Sequence, residues 1–300
     1  MELQTEIAGI ALDHPLMNAA GTCKLLEEAQ ALSRSAAAAV MVGSITLQPR
    51  SGHSGNVYWS GAHYSLNSLG LPNRGAEYYQ KVLPQMADAA HQEGKPLFVS
   101  VAGFSPREYA ELANLAFEKG ADLVELNLSC PNVWRSGAQE RVICFSSALV
   151  AKVLRRVEER VGPEAKVAAK LSPFSDPLAL AKVAEVLSRS KIIKAVTAVN
   201  TFPNALGYAG EEPVISAGDG FAGLGGPALK PIGLGQVRQL RRLLPDYIQI
   251  IGVGGITHGQ DIWEYLKSGA AATQVATAYL ERQERVFSAL LGELLEIPGA

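Results

Sequence analysis

Three hundred residues, 48% hydrophobic and 19% charged, make a chain long enough to bury a large core without staples, and the composition excludes a disordered one. A formal net charge of −2 with no Lys/Arg-rich run excludes a nucleic-acid or membrane-surface binder that works through a basic footprint. Three cysteines, an odd and small number, argue against a disulfide framework and for a reducing cytoplasm. The opening Met1-Glu2-Leu3-Gln4-Thr5-Glu6 is acidic and lacks an apolar h-region, so it reads as no secretory signal. The longest apolar stretches, such as Ala36 to Val42, have the length of a strand and fall far short of a membrane span. From there, short apolar runs alternate with amphipathic segments. Strands are predicted at Leu16–Ala20, Ala39–Val42, Leu97–Val101, Leu123–Leu128, Val167–Leu171, Ala195–Val199, Ile248–Val253 and Thr273–Ala276. Helices between them include Pro106–Lys119, Ser146–Arg160, Pro177–Arg189, Ile232–Leu244 and Gln260–Ser268. Near-continuous apolar strands with helical crossovers belong to a parallel sheet buried on both faces. Eight βα units fit a closed (β/α)8 barrel, the TIM barrel, better than a doubly wound sheet, and residues 1–300 read as a single domain.

Two insertions break the rhythm, from about Gln48 to Tyr78 and from Phe202 to Ala228. Both follow a strand, so in a barrel both sit on the C-terminal face, where such enzymes place their chemistry. As long loops without secondary structure of their own they read as lids or binding loops; plain surface elaboration is the alternative. The strand ends point to the same face. They deliver Asn18-Ala19-Ala20-Gly21-Thr22, Asn127-Leu128-Ser129-Cys130-Pro131-Asn132, Lys170-Leu171-Ser172-Pro173, Asn200-Thr201, Gly252-Val253-Gly254-Gly255 and Ala276-Thr277. A packed core does not want these groups, because each buried polar atom needs a partner, and a bound polar ligand would supply one.

Lys170 closes an otherwise apolar strand, so it either meets an anion or snorkels to the rim. Gly254-Gly255 with Thr277 fit a phosphate cradle after strands seven and eight, although glycine pairs are also ordinary turn residues. Cys130 reads either as a buried core thiol or, with Pro131 ending the strand beside it, as a thiol facing the cavity in the company of Asn127, Ser129 and Asn132. In the second case it could serve as a base through its thiolate. Cys23 and Cys144 have no such context and read as structural.

Several words in this sequence resemble those of the class 1 dihydroorotate dehydrogenases, most nearly class 1A. They are Asn67-Ser68-Leu69-Gly70-Leu71-Pro72-Asn73, Asn127-Leu128-Ser129-Cys130-Pro131-Asn132-Val133, Lys170-Leu171-Ser172-Pro173, Gly223-Leu224-Gly225-Gly226 with Lys230-Pro231, and Ile250-Ile251-Gly252-Val253-Gly254-Gly255. They occur in the family's order and span nearly the whole chain. The resemblance implies an FMN-dependent barrel, usually a cytoplasmic homodimer, that oxidises dihydroorotate to orotate in pyrimidine biosynthesis. It implies that Cys130 is the base at C5 while hydride leaves C6 for flavin N5. Asn67, Gly70, Leu71, Asn127, Asn132, Asn200 and Thr201 are then the substrate's grip. Ala19, Ala20, Gly21, Ser44, Lys170, Gly225, Gly254, Gly255, Ala276 and Thr277 are the flavin shell. Physically the division is sensible: amides offer donors and acceptors to a ring that presents both, and a cation near the flavin N1/O2 edge favours the anionic reduced form. Class 1A likeness implies fumarate as electron acceptor, where class 1B enzymes use a separate iron–sulfur flavoprotein. The absence of a hydrophobic N-terminal extension argues against the membrane-associated class 2.

The sequence departs from the family in three places. A lysine usual at the end of strand two is here Gly43, within Val42-Gly43-Ser44-Ile45-Thr46; the loop Trp134-Arg135-Ser136-Gly137-Ala138 is of a different type; and Ala276 stands for a usual glycine. Lys24, just past Gly21-Thr22-Cys23, either extends into the site to replace the lost charge or is an exposed lysine at a helix start. Three alternatives follow: a flavin oxidoreductase of the same fold acting on another cyclic amide or dihydropyrimidine, a flavin-free barrel lyase or isomerase for a phosphorylated substrate, and a flavin-binding protein without turnover. No metal-ligand spacing is present in the chain.

Overall fold

The computed structural model describes residues 3–131, 134, 135, 138, 139 and 141–299. Eight parallel strands form the central sheet: β1 (Leu16–Asn18), β2 (Val40–Ile45), β3 (Leu97–Val101), β4 (Leu123–Asn127), β5 (Val167–Leu171), β6 (Ile193–Ala198), β7 (Gln249–Val253) and β8 (Ala272–Val275). They pair in the order 1-8-7-6-5-4-3-2, the order of a (β/α)8 barrel. The helices are α1 (Leu26–Arg34), α2 (Gly75–Gln92), α3 (Pro106–Glu118), α4 (Ser147–Val161), α5 (Pro177–Arg189), α6 (Lys230–Leu243), α7 (Gly259–Ser268), α8 (Thr277–Arg282) and α9 (Arg285–Leu295). Their starts are written in the sequence. Ser105 accepts from the Glu108 N–H ahead of Pro106, and Asp176 accepts from the Leu178 N–H ahead of Pro177, each pair a cap followed by a residue that has no N–H to satisfy.

Strand alternation sorts the core into two layers. Val40, Val42, Val99, Val101, Val124 and Leu126 pack beneath the helices, while Met17, Met41, Phe98, Leu123, Ala168, Ile251 and Ala272 fill the barrel's interior. The hairpin Thr5–Ile7/Ile10–Leu12 adds Ile7 and Leu12 to this inner cluster. The Thr5 hydroxyl donates to the Ala271 carbonyl, and Gln249 Oε1 accepts from the Ala8 N–H, so the hairpin closes the N-terminal mouth. β1 and β2 are joined differently. Asn18 Nδ2 donates to the Met41 carbonyl at 2.7 Å and its Oδ1 accepts from the Met41 N–H at 2.9 Å, so one amide side chain imitates a strand and stitches the seam.

The two insertions are not loops devoid of structure. Tyr58–Ser60, Ser65–Asn67, Phe202–Ala205 and Ala222–Gly225 build one antiparallel sheet, with Asn67 opposite Gly223. Each of these strands is three or four residues long, and the two insertions meet across more than half of the chain, so local periodicity carries no trace of the pairing. Among the described residues no helix is long and apolar enough to cross a membrane.

Candidate functional site

The C-terminal mouth of the barrel holds two adjoining cavities, of about 890 and 560 Å³ including their open mouths, within the ~300–1,000 Å³ of small-molecule sites. Ala20, Gly21, Asn67, Leu69, Lys170, Asn200 and Thr201 line both, so the two share a wall. Cys130, Gly70, Leu71, Asn127, Ser44 and Lys24 line the smaller one only. Ala19, Gly225, Gly254, Gly255, Ala276 and Thr277 line the larger one only. All residues expected at the site are therefore brought to one mouth, except Asn132, which lies outside the described residues. Ser44, expected in the flavin shell, borders the smaller cavity.

The smaller cavity is shaped by a hydrogen-bonded fence across β2, β3, β4 and β6. Ser44 Oγ lies 2.9 Å from Ser100 Oγ and accepts from Asn127 Nδ2 at 2.9 Å. Asn127 Oδ1 accepts from the Ser129 N–H and hydroxyl, and Asn200 Nδ2 donates to Ser129 Oγ at 3.0 Å. Asn200 Oδ1 in turn accepts from the Thr201 N–H at 2.8 Å. The amides are thus fixed before a ligand arrives, as preorganised recognition requires. Cys130 stands half-buried at the end of β4. Cys23 and Cys144 are buried, and burial raises both thiols above their ordinary values, so both are structural. From the accessory sheet, Asn67 donates to the Gly223 carbonyl at 3.2 Å. The Gly70 carbonyl accepts from Arg50 Nε at 2.9 Å, which holds the Leu69–Pro72 segment over the opening.

Lys170 is only 4% exposed, so it does not snorkel to solvent; it stands in the wall common to both cavities. Gln274 on β8 is fully buried, borders the larger cavity, and has a partner for neither Oε1 nor Nε2 among the described residues. It escaped the sequence reading, yet its signal was that of Lys170: a polar residue inside an apolar strand. Tyr58, Ser65, Leu69, Ile256, Thr257 and Leu280 also line the larger cavity without having been expected, because their placement depends on the accessory sheet, on the loop after β7 and, for Leu280, on the packing of α8.

That loop forms a backbone cradle. A β-carbon on Gly255 would lie 2.7 Å from the Lys230 nitrogen and 2.9 Å from the Gly226 carbonyl oxygen, at a φ of +71°. Only glycine allows the loop to approach the start of α6 this closely. The cradle is braced by Asp261, which accepts from the Thr257 and His258 N–H groups at 2.8 and 2.9 Å and from Lys230 Nζ at 2.6 Å. Burial would raise the Asp261 carboxyl, but the Lys230 ammonium and the backbone donors outweigh it and hold it below its ordinary value. Hydrogen bonding to Asp261 raises Lys230. Tyr265 completes the support, donating to the Gly254 carbonyl at 2.8 Å.

An orphaned buried amide and a glycine cradle on one cavity fit a polar, phosphorylated, planar cofactor such as FMN. The smaller cavity, with amides, a thiol and two lysines, fits a small polar ring beside such a cofactor, the two cavities sharing a wall.

Comparison with known proteins gives the family. Residues 2–297 match the family model described as dihydroorotate dehydrogenase. "Dihydroorotate dehydrogenase (fumarate)" of Trypanosoma cruzi (strain CL Brener) is 36% identical over 297 residues, covering 95% of this chain and 91% of that protein. "Dihydroorotate dehydrogenase A (fumarate)" of Lactococcus lactis subsp. cremoris (strain MG1363) is 35% identical over 301 residues, covering 98% and 94%. A crystal structure of DHODH from Eimeria tenella in complex with ferulenol superposes with a TM-score of 0.81 at 19% identity, over 98% of this chain and 84% of that one, and supports the fold.

Proposed function

The chain belongs to the dihydroorotate dehydrogenase family, an oxidoreductase family acting on CH–CH bonds, and from that premise we propose that it oxidises dihydroorotate to orotate with FMN in the larger cavity and fumarate as electron acceptor. The observation that carries the reading is the shared wall: Lys170, Asn67, Asn200 and Thr201 border both cavities, and Cys130 faces the smaller one. Ala19, Ala20, Gly21, Lys170, Gly225, Gly254, Gly255, Ala276 and Thr277 would hold the cofactor, with Gln274 added to them, while Ser44, which borders the smaller cavity, would help position the ring through Asn127. FMN, when bound, supplies the two-electron acceptor for the ring's hydride. The chain's own residues do the rest. Asn67, Asn127, Asn200 and Thr201 present donors and acceptors to the ring's carbonyl and N–H groups, with Gly70 and Leu71 closing over it. The Cys130 thiolate takes the proton from C5. Lys170 sets positive charge where electron density collects.

The purified protein is expected to be yellow, to release FMN on denaturation, and to bleach when mixed anaerobically with dihydroorotate. A colourless protein that cannot be reconstituted with FMN would sink the reading. So would bleaching by other dihydropyrimidines but not by dihydroorotate.

A further inference from the structure

The smaller cavity is positively biased: among the described residues that line it stand two lysines, Lys24 and Lys170, and no carboxylate. Lys170 also borders the larger cavity, whereas Lys24 borders the smaller one alone. We propose that Lys24 is a specificity-determining residue whose ammonium receives the carboxylate of the substrate ring, so that the cavity selects rings bearing an anionic substituent over neutral ones. This deepens the dihydroorotate reading and rests on it.

Four features support it. First, the end of β2, on the same rim, cannot supply a cation. A β-carbon at Gly43 would sit 2.2 Å from the Ser100 carbonyl oxygen, at a φ of +116°. Second, the turn after β1 is tied to that spot. The Gly43 N–H donates to the Cys23 carbonyl at 2.9 Å and the Gly21 N–H donates to the Gly43 carbonyl at 2.6 Å, so Lys24, the next residue, leaves the turn beside the end of β2. Third, the backbone of Lys24 is fixed on both sides. Its N–H donates to Glu28 Oε2 at 2.6 Å and its carbonyl accepts from the Tyr79 hydroxyl at 3.1 Å. Glu28 Oε2 also accepts from the Leu25 N–H at 2.9 Å, so this oxygen caps the start of α1. Fourth, burial lowers the Lys24 pKa against the opposing field of Glu28, so the ammonium lacks a full solvent shell and gains from an arriving anion. A cation on a fixed backbone binds a carboxylate with less ordering cost than a mobile surface lysine would.

The test is calorimetric titration of the FMN-loaded enzyme with three product-like rings: orotate, its positional isomer 5-carboxyuracil, and neutral uracil. Wild type is compared with Lys24→Ala, Lys24→Gln and Lys24→Arg. Loss of a charge-assisted contact predicts orotate binding weaker by roughly 10- to 100-fold in the Ala and Gln variants, uracil binding within about twofold of wild type, and Arg restoring most of the loss. Flavin content and its visible spectrum stay unchanged. Orotate binding by Lys24→Ala within about twofold of wild type overturns the proposal, as does an equal loss for orotate and uracil. The wild-type arm reports on the reaction separately. If wild type prefers 5-carboxyuracil and ignores orotate, and Lys24→Ala erases that preference, the dihydroorotate reading falls while the role of Lys24 stands. If wild type binds uracil more tightly than both carboxylated rings, both fall.

Discussion

At position 43 any side chain would have to share space with the Ser100 carbonyl, and the backbone there occupies a region that L-residues avoid. Gly43→Ala is therefore expected to lower the unfolding free energy by roughly 2–4 kcal/mol in urea denaturation, and Gly43→Lys should not rescue Lys24→Ala; a stable, rescued double variant would show that the rim accepts a cation at either place. At Cys130, replacement by serine keeps the size and removes most of the basicity. Flavin reduction by dihydroorotate should slow by roughly 10²- to 10⁴-fold with FMN stoichiometry unchanged, and an unaltered rate would retire the thiolate as base. Both residues could be singled out from sequence, one by absence and one by its word Ser129-Cys130-Pro131. Gln274 could have been, since an amide flanked by Thr273 and Val275 is as conspicuous as Lys170 flanked by Ala169 and Leu171. The fence from Ser100 through Ser44 and Asn127 could not, because a hydroxyl in a strand has many satisfied fates and only the register picks one.

Among elements, the loop between β7 and α7 depends most on a single side chain. Asp261 gathers the Thr257 and His258 N–H groups and the Lys230 ammonium, and so fixes the glycine cradle relative to the start of α6. Its carboxyl is held below its ordinary value in the fold. That contribution to stability is fully present above the ordinary carboxylate range and is lost as the pH falls through the lower, folded value. Lys230 is raised, so its share persists up to the ordinary lysine range and is lost as the pH climbs through the higher folded value. Asp261→Asn should flatten the acid limb of a stability–pH profile and cost roughly 1.5–3 kcal/mol near neutrality, read by urea denaturation at several pH values; an unchanged acid limb would show the bracing to be idle. The barrel strands were legible because burial on both faces leaves apolar runs, as at Val40–Val42 and Leu97–Val101. The accessory sheet was not. Tyr58–Ser60 and Ser65–Asn67 are too short for alternation to register, and their partner Ala222–Gly225 comes from a distant insertion.

For the whole molecule, a cofactor bound in the larger cavity, between β1, β7, β8 and the accessory sheet, would tie the two insertions to the barrel. Removing FMN should lower the thermal midpoint, and restoring it at a hundredfold excess over its Kd should raise that midpoint by roughly 4 °C, measured by differential scanning calorimetry. A midpoint indifferent to FMN would mean that no such seat exists. The (β/α)8 architecture and the common mouth followed from counting βα units and reading what stands at the strand ends. The division of that mouth into two chambers did not, since it depends on Ser65–Asn67 reaching across to Gly223–Gly225. One consequence concerns how the chain is made. Leu16 pairs with Thr273, so the first barrel strand to leave the ribosome finds its ladder partner only when nearly the whole chain has been translated, and until then its other neighbour holds it chiefly by the amide of Asn18. Closure of the sheet therefore requires β8, and until that strand is made the edge of β1 that it covers has no ladder partner.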